Sequence, residues 1–352
     1  LGSNEDYLRL INKAHQKGLR VVMDMIFNHI GANHPWVLDV PSKDWFNVSP
    51  SKRGNHAKAI FYDNYASTYD SEVMKYAGFG IDLNQANPHV GKYLIQNSIW
   101  WIEYARIDAI RQDTYPYSDF DMMREWNIQI MNEYPQFNIV GEIWTNYTIG
   151  TAWWHKGCKL NFGKDTELKS VMDFTLMSIA SDIFNDKSSP EGRLDKIYDH
   201  LCYDFVYPDI KNVLRFLDNH DTDRFLRSEP KDLDGDSQNW FTREGRSDLQ
   251  NKAWDYLQTL LKWRKGNKII SEGNMKHYMP QLGVYVYERY LEGKSVMVII
   301  NGANHEVDLP LARYKESLKE GIEGKDIITK RTILFKDSLK LASKEVLVVE
   351  MN

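Results

Sequence analysis

Three carboxylates in this sequence each follow a short apolar segment with the composition of a buried strand. They are Asp113, Glu142 and Asp221. An unpaired charge is costly to bury, so a carboxylate in such a place needs a structural or chemical explanation. One strand-end carboxylate often only caps the next helix, but three on separate strands are harder to explain in that way. Basic side chains accompany them, namely His29, Arg111 and His220. The set therefore predicts a catalytic site.

The segments that position these residues repeat in one order: a helix, then a strand, then a polar tip. Residues 6–17 show helical spacing and end at Gly18, and residues 19–24 follow as a β-branched apolar strand. The alternation recurs in the helix and strand pairs 92–104 with 106–113 and 120–133 with 137–142, and in the strands 168–174 and 213–218. This pattern predicts a parallel sheet with helices outside it. Polar residues at the carboxyl ends of such strands indicate catalysis in a (β/α)8 barrel.

Two further regions complete the predicted architecture. Residues 31–80 are too long for an ordinary βα loop, which predicts an inserted lid subdomain. After residue 266 the helical periodicity ends, and strand-like segments at 283–290 and 294–301 flank a turn. They predict an antiparallel β-sandwich. We therefore expect an α/β fold, with a (β/α)8 TIM barrel over residues 1–266, an inserted subdomain over about 31–80, and a C-terminal β-sandwich domain over 267–352.

Composition excludes some classes of function. The chain has 352 residues, with 44 Lys and Arg against 49 Asp and Glu, and so a formal charge of −5. This weak acidic balance argues against a nucleic-acid partner. No apolar run approaches the roughly 18 residues that a membrane span needs, so we expect a soluble protein. Aromatic residues make up 13% of the chain, and a surplus of Trp and Tyr near polar loops suits stacking on sugar rings.

Four segments carry a family resemblance. Residues 24–29 (DMIFNH), 110–117 (IRQDTYPY), 141–144 (GEIW) and 216–221 (FLDNHD) resemble, in order, the four signature regions of the α-amylase superfamily, glycoside hydrolase family 13. Residues 82–85 (DLNQ) look like an additional short motif of that family. The second and third segments are most similar to the neopullulanase and cyclomaltodextrinase branch, especially the starch-utilisation neopullulanases of Bacteroidetes.

The resemblance implies a role for each carboxylate. Asp113 would be the nucleophile, Glu142 the general acid and then the general base, and Asp221 the stabiliser of an oxocarbenium-like transition state. Arg111 lies two residues before Asp113 on the same strand, so both face the barrel mouth and the guanidinium favours an ionised nucleophile. Apolar neighbours of Glu142 would favour its protonated form. The reaction would be a double displacement with retention, which needs carboxyl groups about 5–5.5 Å apart. Asp24 is expected to link its strand to Arg111.

The resemblance also implies a set of substrate-binding residues. His29, Arg111 and His220 would contact hydroxyls or carboxylates around one sugar, although a core histidine remains the alternative for His29. Tyr115 and Trp144 would stack on glucose rings, with simple packing as the alternative. Asn28 resembles a calcium ligand of some α-amylases, but we favour a structural turn role for it in this branch.

Some features depart from the family pattern. The first two barrel strands of the family would precede Leu1, and residues 241–246 resemble the stretch after the eighth strand with no eighth strand before them. We therefore expect about five of eight strands and an apparently incomplete barrel. We favour a fragment of a longer parent enzyme, with missing strands supplied by another chain and a decayed sugar-binding relative as the alternatives. The usual calcium loop near the first strand has no counterpart, so we expect no metal site and no required cofactor, with Ca²⁺ left to the longer parent.

These expectations combine into one functional prediction. The chain would be a retaining α-glucan hydrolase that cleaves α-1,4 bonds, with α-1,6 bonds left open, in starch oligosaccharides, pullulan or cyclodextrins. Its partner would be the α-glucan substrate, with no nucleic acid and no membrane span, and a homodimer is left open. The resemblance favours a periplasmic over a cytoplasmic location in a bacterium. A non-catalytic glycan-binding relative and a transglycosylase that uses the same carboxylates remain as alternatives.

Overall fold

The structure is a computed structural model. It describes residues 2–47, 63, 65–72, 80–185, 188–222, 242–318 and 321–351. Much of the predicted lid (48–62, 64 and 73–79) lies outside the described residues, and so does the stretch 223–241, in which the sequence predicts no eighth strand. The chain divides into two compact units, Leu1–Ser178 with Tyr203–Phe216, and Ile179–Cys202 with Leu217–Asn352. The domain boundary expected at 266 and 267 stays a prediction.

The first unit contains a parallel sheet with helices between its strands. Its helices are α1 (Asn4–Gln16), α2 (Pro35–Leu38), α3 (Thr68–Glu72), α4 (Pro88–Ala105), α5 (Phe120–Glu133) and α6 (Thr148–Trp153). Its strands are β1 (Val22–Ile26), β2 (His29–Ile30), β3 (Ile81–Asp82), β4 (Ala109–Asp113), β5 (Asn138–Gly141), β6 (Ser170–Met172) and β7 (Val213–Leu214). Helix α7 (Phe174–Asn185) crosses the boundary between the units.

The order of this sheet is that of a barrel. Five strands pair in the order β1-β4-β5-β6-β7, all parallel, while β2 and β3 form a separate antiparallel pair. Each large-sheet strand therefore lies beside the next one in the chain, as in a (β/α)8 barrel and unlike a doubly wound sheet. The predicted fold class is confirmed, with five barrel strands in the part of the chain that the structure describes.

Helix ends follow the local sequence closely. Ser3 caps α1 in a reciprocal pair with Asp6, and Asn87 caps α4 with Pro88 at the first helical position. Helix α4 ends with Ala105, and the residue that follows it, Arg106, has a φ of 55°. Helix α5 begins after Asp119, which accepts a hydrogen bond from the backbone N–H of Met122, and its bounds are those predicted.

Most predicted barrel strands differ from the structure by some residues at their ends, and β1 and β7 are two examples. Strand β1 runs to Ile26, not to residue 24, because its pairing with β4 continues until Ile26 lies opposite Asp113. Asp24 is therefore in the middle of its strand. Strand β7 has two residues instead of the expected 213–218, since the ladder with β6 ends at Leu214.

The core of the first unit lies between the parallel sheet and its helices. Ile110 and Ile139 of neighbouring strands are fully buried in the same cluster as Phe27 and Trp126. The rings of Phe27 and Trp126 meet edge to face at 4.9 Å. Such packing fixes the strands, and with them the residues at their carboxyl ends.

The second unit is built on antiparallel strands. It contains α8 (Leu194–Leu201), α9 (Asp248–Lys265), α10 (Lys268–Glu272), β8 (Asn274–Gln281), β9 (Val284–Leu291), β10 (Lys294–Asn301), β11 (Val307–Pro310), β12 (Glu323–Asp326), β13 (Thr332–Leu334), β14 (Ser338–Leu341) and β15 (Val346–Met351). Six strands form one sheet in the order β13-β12-β15-β10-β9-β8, and β11 pairs with β14. One core joins Ile299 and Leu347 of the large sheet to Leu309 and Leu341 of the small one, which confirms the predicted sandwich.

The part of the chain that the structure describes has no helix that is both long enough and apolar enough to cross a membrane.

Candidate active site

The strand register brings the predicted residues to one edge of the sheet. Asp24 of β1 lies opposite Arg111 of β4, and Gln112 of β4 lies opposite Gly141 of β5. One residue further along, Glu142 comes opposite Asp113. Its backbone N–H donates to the carbonyl of Gln112 at 2.9 Å. Because side chains alternate along a strand, these charged side chains share one face.

Arg111 is the centre of this group. Its Nη1 donates to Asp24 Oδ1 at 2.7 Å and to Asp113 Oδ2 at 3.0 Å, and its Nη2 lies 2.8 Å from Glu142 Oε1. Burial lowers the pKa of Arg111, but the hydrogen bond to Asp24 and the charge of Glu142 outweigh that effect and leave the pKa raised. The predicted link between Asp24 and Arg111 is confirmed.

The carboxyl groups of Asp113 and Glu142 are close together. One carboxylate oxygen of Asp113 lies within 4.8 Å of one of Glu142. Thr114 contacts both groups: its hydroxyl donates to Asp113 Oδ1 at 2.8 Å, and its backbone N–H donates to Glu142 Oε2 at 2.7 Å. Sequence reasoning missed Thr114, and its position directly after Asp113 was the only signal that the sequence offered.

The surroundings of Glu142 are more polar than the sequence suggested. Glu142 is 4% exposed, and burial alone favours a neutral carboxyl. However, the guanidinium of Arg111 and the N–H of Thr114 both stabilise a negative charge on it. The structure therefore adds two polar contacts to the apolar neighbours that the sequence predicts for Glu142.

His29 lies beside this site. It is half-buried in the short strand β2, and its Nδ1 is 3.3 Å from Nδ2 of Asn28. Burial lowers the pKa of His29, and the charge of Asp113 offsets part of that effect. This lowered pKa favours the neutral imidazole, which has one donor nitrogen and one acceptor nitrogen.

The two predicted stacking residues have different surroundings. Tyr115 is fully buried, its hydroxyl accepts from Asn127 at 2.8 Å, and its ring meets Trp154 edge to face. A sugar-stacking role for Tyr115 is therefore wrong, because no face of its ring is open, and the packing alternative describes it. Trp144 is partly exposed and stacks on Phe174 with ring centroids 4.7 Å apart.

His220 and Asp221 belong to the second unit, where one turn holds them. His220 Nε2 lies 3.1 Å from Asp221 Oδ2, and the backbone N–H of Asp221 donates to Asn219 Oδ1 at 3.0 Å. The backbone N–H of Asn219 donates to the hydroxyl of Thr222. Both His220 and Asp221 are exposed, so they are open to a ligand.

Asp173, a fourth strand-end carboxylate that sequence reasoning missed, has structural contacts. It follows β6, is fully buried, and accepts from the backbone N–H of Leu176 at 2.9 Å in the first turn of α7. Arg215 lies between Asp173 and Asp204 and pairs with both. Asp173 thus caps a helix, which was the structural alternative for each of Asp113, Glu142 and Asp221.

Asn28 alone does not make a calcium site. Asn28 is fully buried, and its Oδ1 accepts no hydrogen bond from the described residues, so it could offer one oxygen. Calcium takes six to eight oxygen ligands. Away from the carboxylates already named, the described ranges hold no other group of three His, Cys, Asp or Glu side chains with ligand atoms as close together. The predicted absence of a metal site stays a prediction.

Clustered carboxylates and a guanidinium thus lie at the carboxyl ends of parallel strands, which is where barrel enzymes place their active sites. The chain belongs to the alpha-amylase family, because the family described as "Alpha amylase, catalytic domain" matches residues 1–274. The "Cyclo-malto-dextrinase C-terminal domain" matches residues 275–350.

Individual proteins show the same likeness. An intracellular maltogenic amylase of Bacillus subtilis is 27% identical over 234 residues, which are 64% of this chain and 35% of that protein. A cyclomaltodextrinase of Thermoanaerobacter pseudethanolicus is 23% identical over 344 residues, 87% of this chain and 56% of the relative. The chain thus spans 35% and 56% of these two curated relatives. The crystal structure of an Anoxybacillus alpha-amylase shares the fold, with a TM-score of 0.79 at 22% identity, over 100% of this chain and 80% of that one.

Proposed function

We propose that this protein is a retaining hydrolase of α-glucans. The observation that carries the proposal is the pair of carboxyl groups of Asp113 and Glu142, with oxygens within 4.8 Å, beside the guanidinium of Arg111. Retaining glycosidases place their two carboxyl groups about 5–5.5 Å apart, whereas inverting enzymes need about 6.5–9.5 Å to admit a water molecule. The names of the relatives, a maltogenic amylase and a cyclomaltodextrinase, support starch-derived substrates.

The first step forms a glycosyl ester. Asp113 attacks the anomeric carbon while Glu142 gives its proton to the leaving glycosidic oxygen, so one C–O bond forms and another breaks. Arg111 donates a hydrogen bond to Asp113 Oδ2 and so orients the attacking carboxylate. In the second step Glu142, now a carboxylate, takes a proton from water. The oxygen of that water attacks the anomeric carbon, and the ester bond to Asp113 breaks. The contacts of Glu142 with Arg111 and Thr114 suit this second state.

The remaining predicted residues complete the proposal. Asp221 stabilises the positively charged transition state, and His29 and His220 hydrogen-bond hydroxyls of the same sugar. Trp144 presents an aromatic ring to the glucan.

Catalysis by two carboxylates needs no cofactor, so we expect EDTA to leave the rate of glucan hydrolysis unchanged. Loss of activity in EDTA with recovery in added Ca²⁺ would contradict this. The homodimer stays a prediction. Sedimentation velocity tests it, because a dimer would sediment as a species of twice the chain mass.

The test follows the anomeric configuration of the first products. Proton NMR during hydrolysis of maltoheptaose, a cyclodextrin and pullulan should show the α-anomer before mutarotation, and the relative rates give the linkage preference. Asp113→Asn should fold normally and lose at least ~10³-fold in kcat, because an amide cannot form the glycosyl ester. Initial β-anomer, no turnover of any of the three glucans, or unchanged turnover in Asp113→Asn would refute the proposal.

A further inference from the structure

Thr114 and Arg111 between them contact all four oxygens of the Asp113 and Glu142 carboxylates. Arg111 meets Asp113 Oδ2 and Glu142 Oε1. Thr114 meets the other two oxygens, Asp113 Oδ1 through its hydroxyl at 2.8 Å and Glu142 Oε2 through its backbone N–H at 2.7 Å. Each carboxylate is therefore held at both oxygens, which fixes the rotation of its plane.

The backbone of Thr114 has a conformation that β-branched residues rarely adopt. Its φ is 45° and its ψ is 39°, in the left-handed region. For a β-branched residue this is a true outlier, and such strain persists only where the surroundings enforce it. Here the N–H of Tyr115 donates to the carbonyl of Glu142, and the N–H of Tyr117 donates to the carbonyl of Thr114. These two bonds and the buried ring of Tyr115 hold the turn.

This conformation has a direct geometric effect. Residue 114 follows the last residue of β4. An extended conformation there would continue the strand, and its side chain would point to the opposite face of the sheet from that of Asp113. The left-handed turn instead lets the N–H of Thr114 reach Glu142 on the neighbouring strand while its hydroxyl turns back to Asp113. One residue thus spans the gap between the two carboxyl groups.

We propose that Thr114 is a positioning residue that sets the relative orientation of the nucleophile and the acid–base carboxylate. The proposal rests on the proposed function of Asp113 and Glu142. Well-oriented reacting groups contribute much of an enzyme's rate, and small misplacements are costly. Thr114 contacts both carboxyl groups and needs no contact with the substrate.

The test compares Thr114→Val with Thr114→Ser. Val keeps the shape and the β-branch but has no hydroxyl, whereas Ser keeps the hydroxyl. Because hydrogen bonds to charged groups are stronger than neutral ones, Thr114→Val should lower kcat by about 10- to 100-fold with KM changed less than about threefold. Thr114→Ser should keep both kcat and KM within about threefold.

A matched control is Thr151→Val. Thr151 is fully buried in α6 of the same unit, where its side chain lies beside Tyr207, so Thr151→Val also removes a buried hydroxyl. This variant should keep kcat within about twofold. If Thr114→Val keeps its kcat, or if Thr114→Ser loses as much as Thr114→Val, the positioning role is overturned.

Failure of the proposed function is distinguishable from failure of this role. If the unmutated protein turns over no glucan, the proposed function fails, and crystal structures of the two variants then decide the role of Thr114. The carboxyl plane of Asp113 should rotate in Thr114→Val and stay in place in Thr114→Ser. An unrotated Asp113 in Thr114→Val would overturn the proposal.

Discussion

Arg111→Met removes the guanidinium that bridges three carboxylates and keeps most of the apolar stem. The three partners differ in exposure, with Glu142 at 5%, Asp113 at 16% and Asp24 at 43% of their side chains. The pair with Asp24 is open to water and contributes little to stability. The pairs with Glu142 and Asp113 are nearly buried, so the variant leaves two carboxylates close together without their cation.

The size of the effect follows from these contacts. Breaking a buried ion pair costs about 3–5 kcal/mol, because the remaining charge stays buried without a partner. Thr114 still donates to both carboxylates, which lowers the cost, and the two pairs share one guanidinium, so they do not add. We expect the free energy of unfolding to fall by about 2–4 kcal/mol.

Urea unfolding followed by tryptophan fluorescence measures this loss. With an m-value of about 2–3 kcal/mol/M, the midpoint should fall by roughly 1 M. The matched control is Arg9→Met, which removes a guanidinium from an exposed pair with Asp6 and should leave the midpoint unchanged within error. Equal midpoints for Arg111→Met and Arg9→Met would refute the view that Arg111 holds a buried charge cluster.

Two further predictions test the surroundings of the site. Gly141→Ala should lower the free energy of unfolding by about 1–3 kcal/mol, because its Cβ would lie 2.7 Å from Leu168 and 3.0 Å from Tyr115, both fully buried; an unchanged thermal midpoint would contradict this. His155→Gln should reduce the loss of thermal stability between pH 7 and pH 5. Burial lowers the pKa of His155 in the fold, so the unfolded chain binds more protons below about pH 6.5 and acid destabilises the native protein. An equal acid-induced loss in both proteins would argue against that linkage.

Local patterns predicted the elements whose structure depends on local sequence. Helix α5 has its predicted bounds because the capping Asp119 and the apolar spacing are both visible in the chain. The shared face of Arg111 and Asp113 followed from strand alternation alone. Strand β12 was missed because its sequence, Glu-Gly-Lys-Asp, has the composition of a turn, and only pairing with β13 and β15 makes it a strand.

Contacts between strands decide the features of the site that were missed. The approach of Arg111 to Glu142 depends on the register of β4 against β5, which no single segment encodes. The left-handed turn at Thr114 depends in the same way on Glu142, 28 residues later in the chain. Tyr115 was expected near the sugar from the family resemblance, but it is buried against Trp154, which directly follows α6.

The central claim is that Glu142 is the general acid and base, and a Glu142→Gln variant tests it most directly. The amide keeps the size of the side chain but has no proton to give to the leaving oxygen. General acid catalysis contributes roughly 10²–10⁴-fold, so hydrolysis of natural glucans should nearly stop while they still bind. An aryl maltooside, whose leaving group needs little protonation, should retain a far larger share of the first step. Added azide should then speed the breakdown of the glycosyl ester, because azide attacks the anomeric carbon without a general base. Equal losses on both substrates, with no response to azide, would contradict the assignment of Glu142.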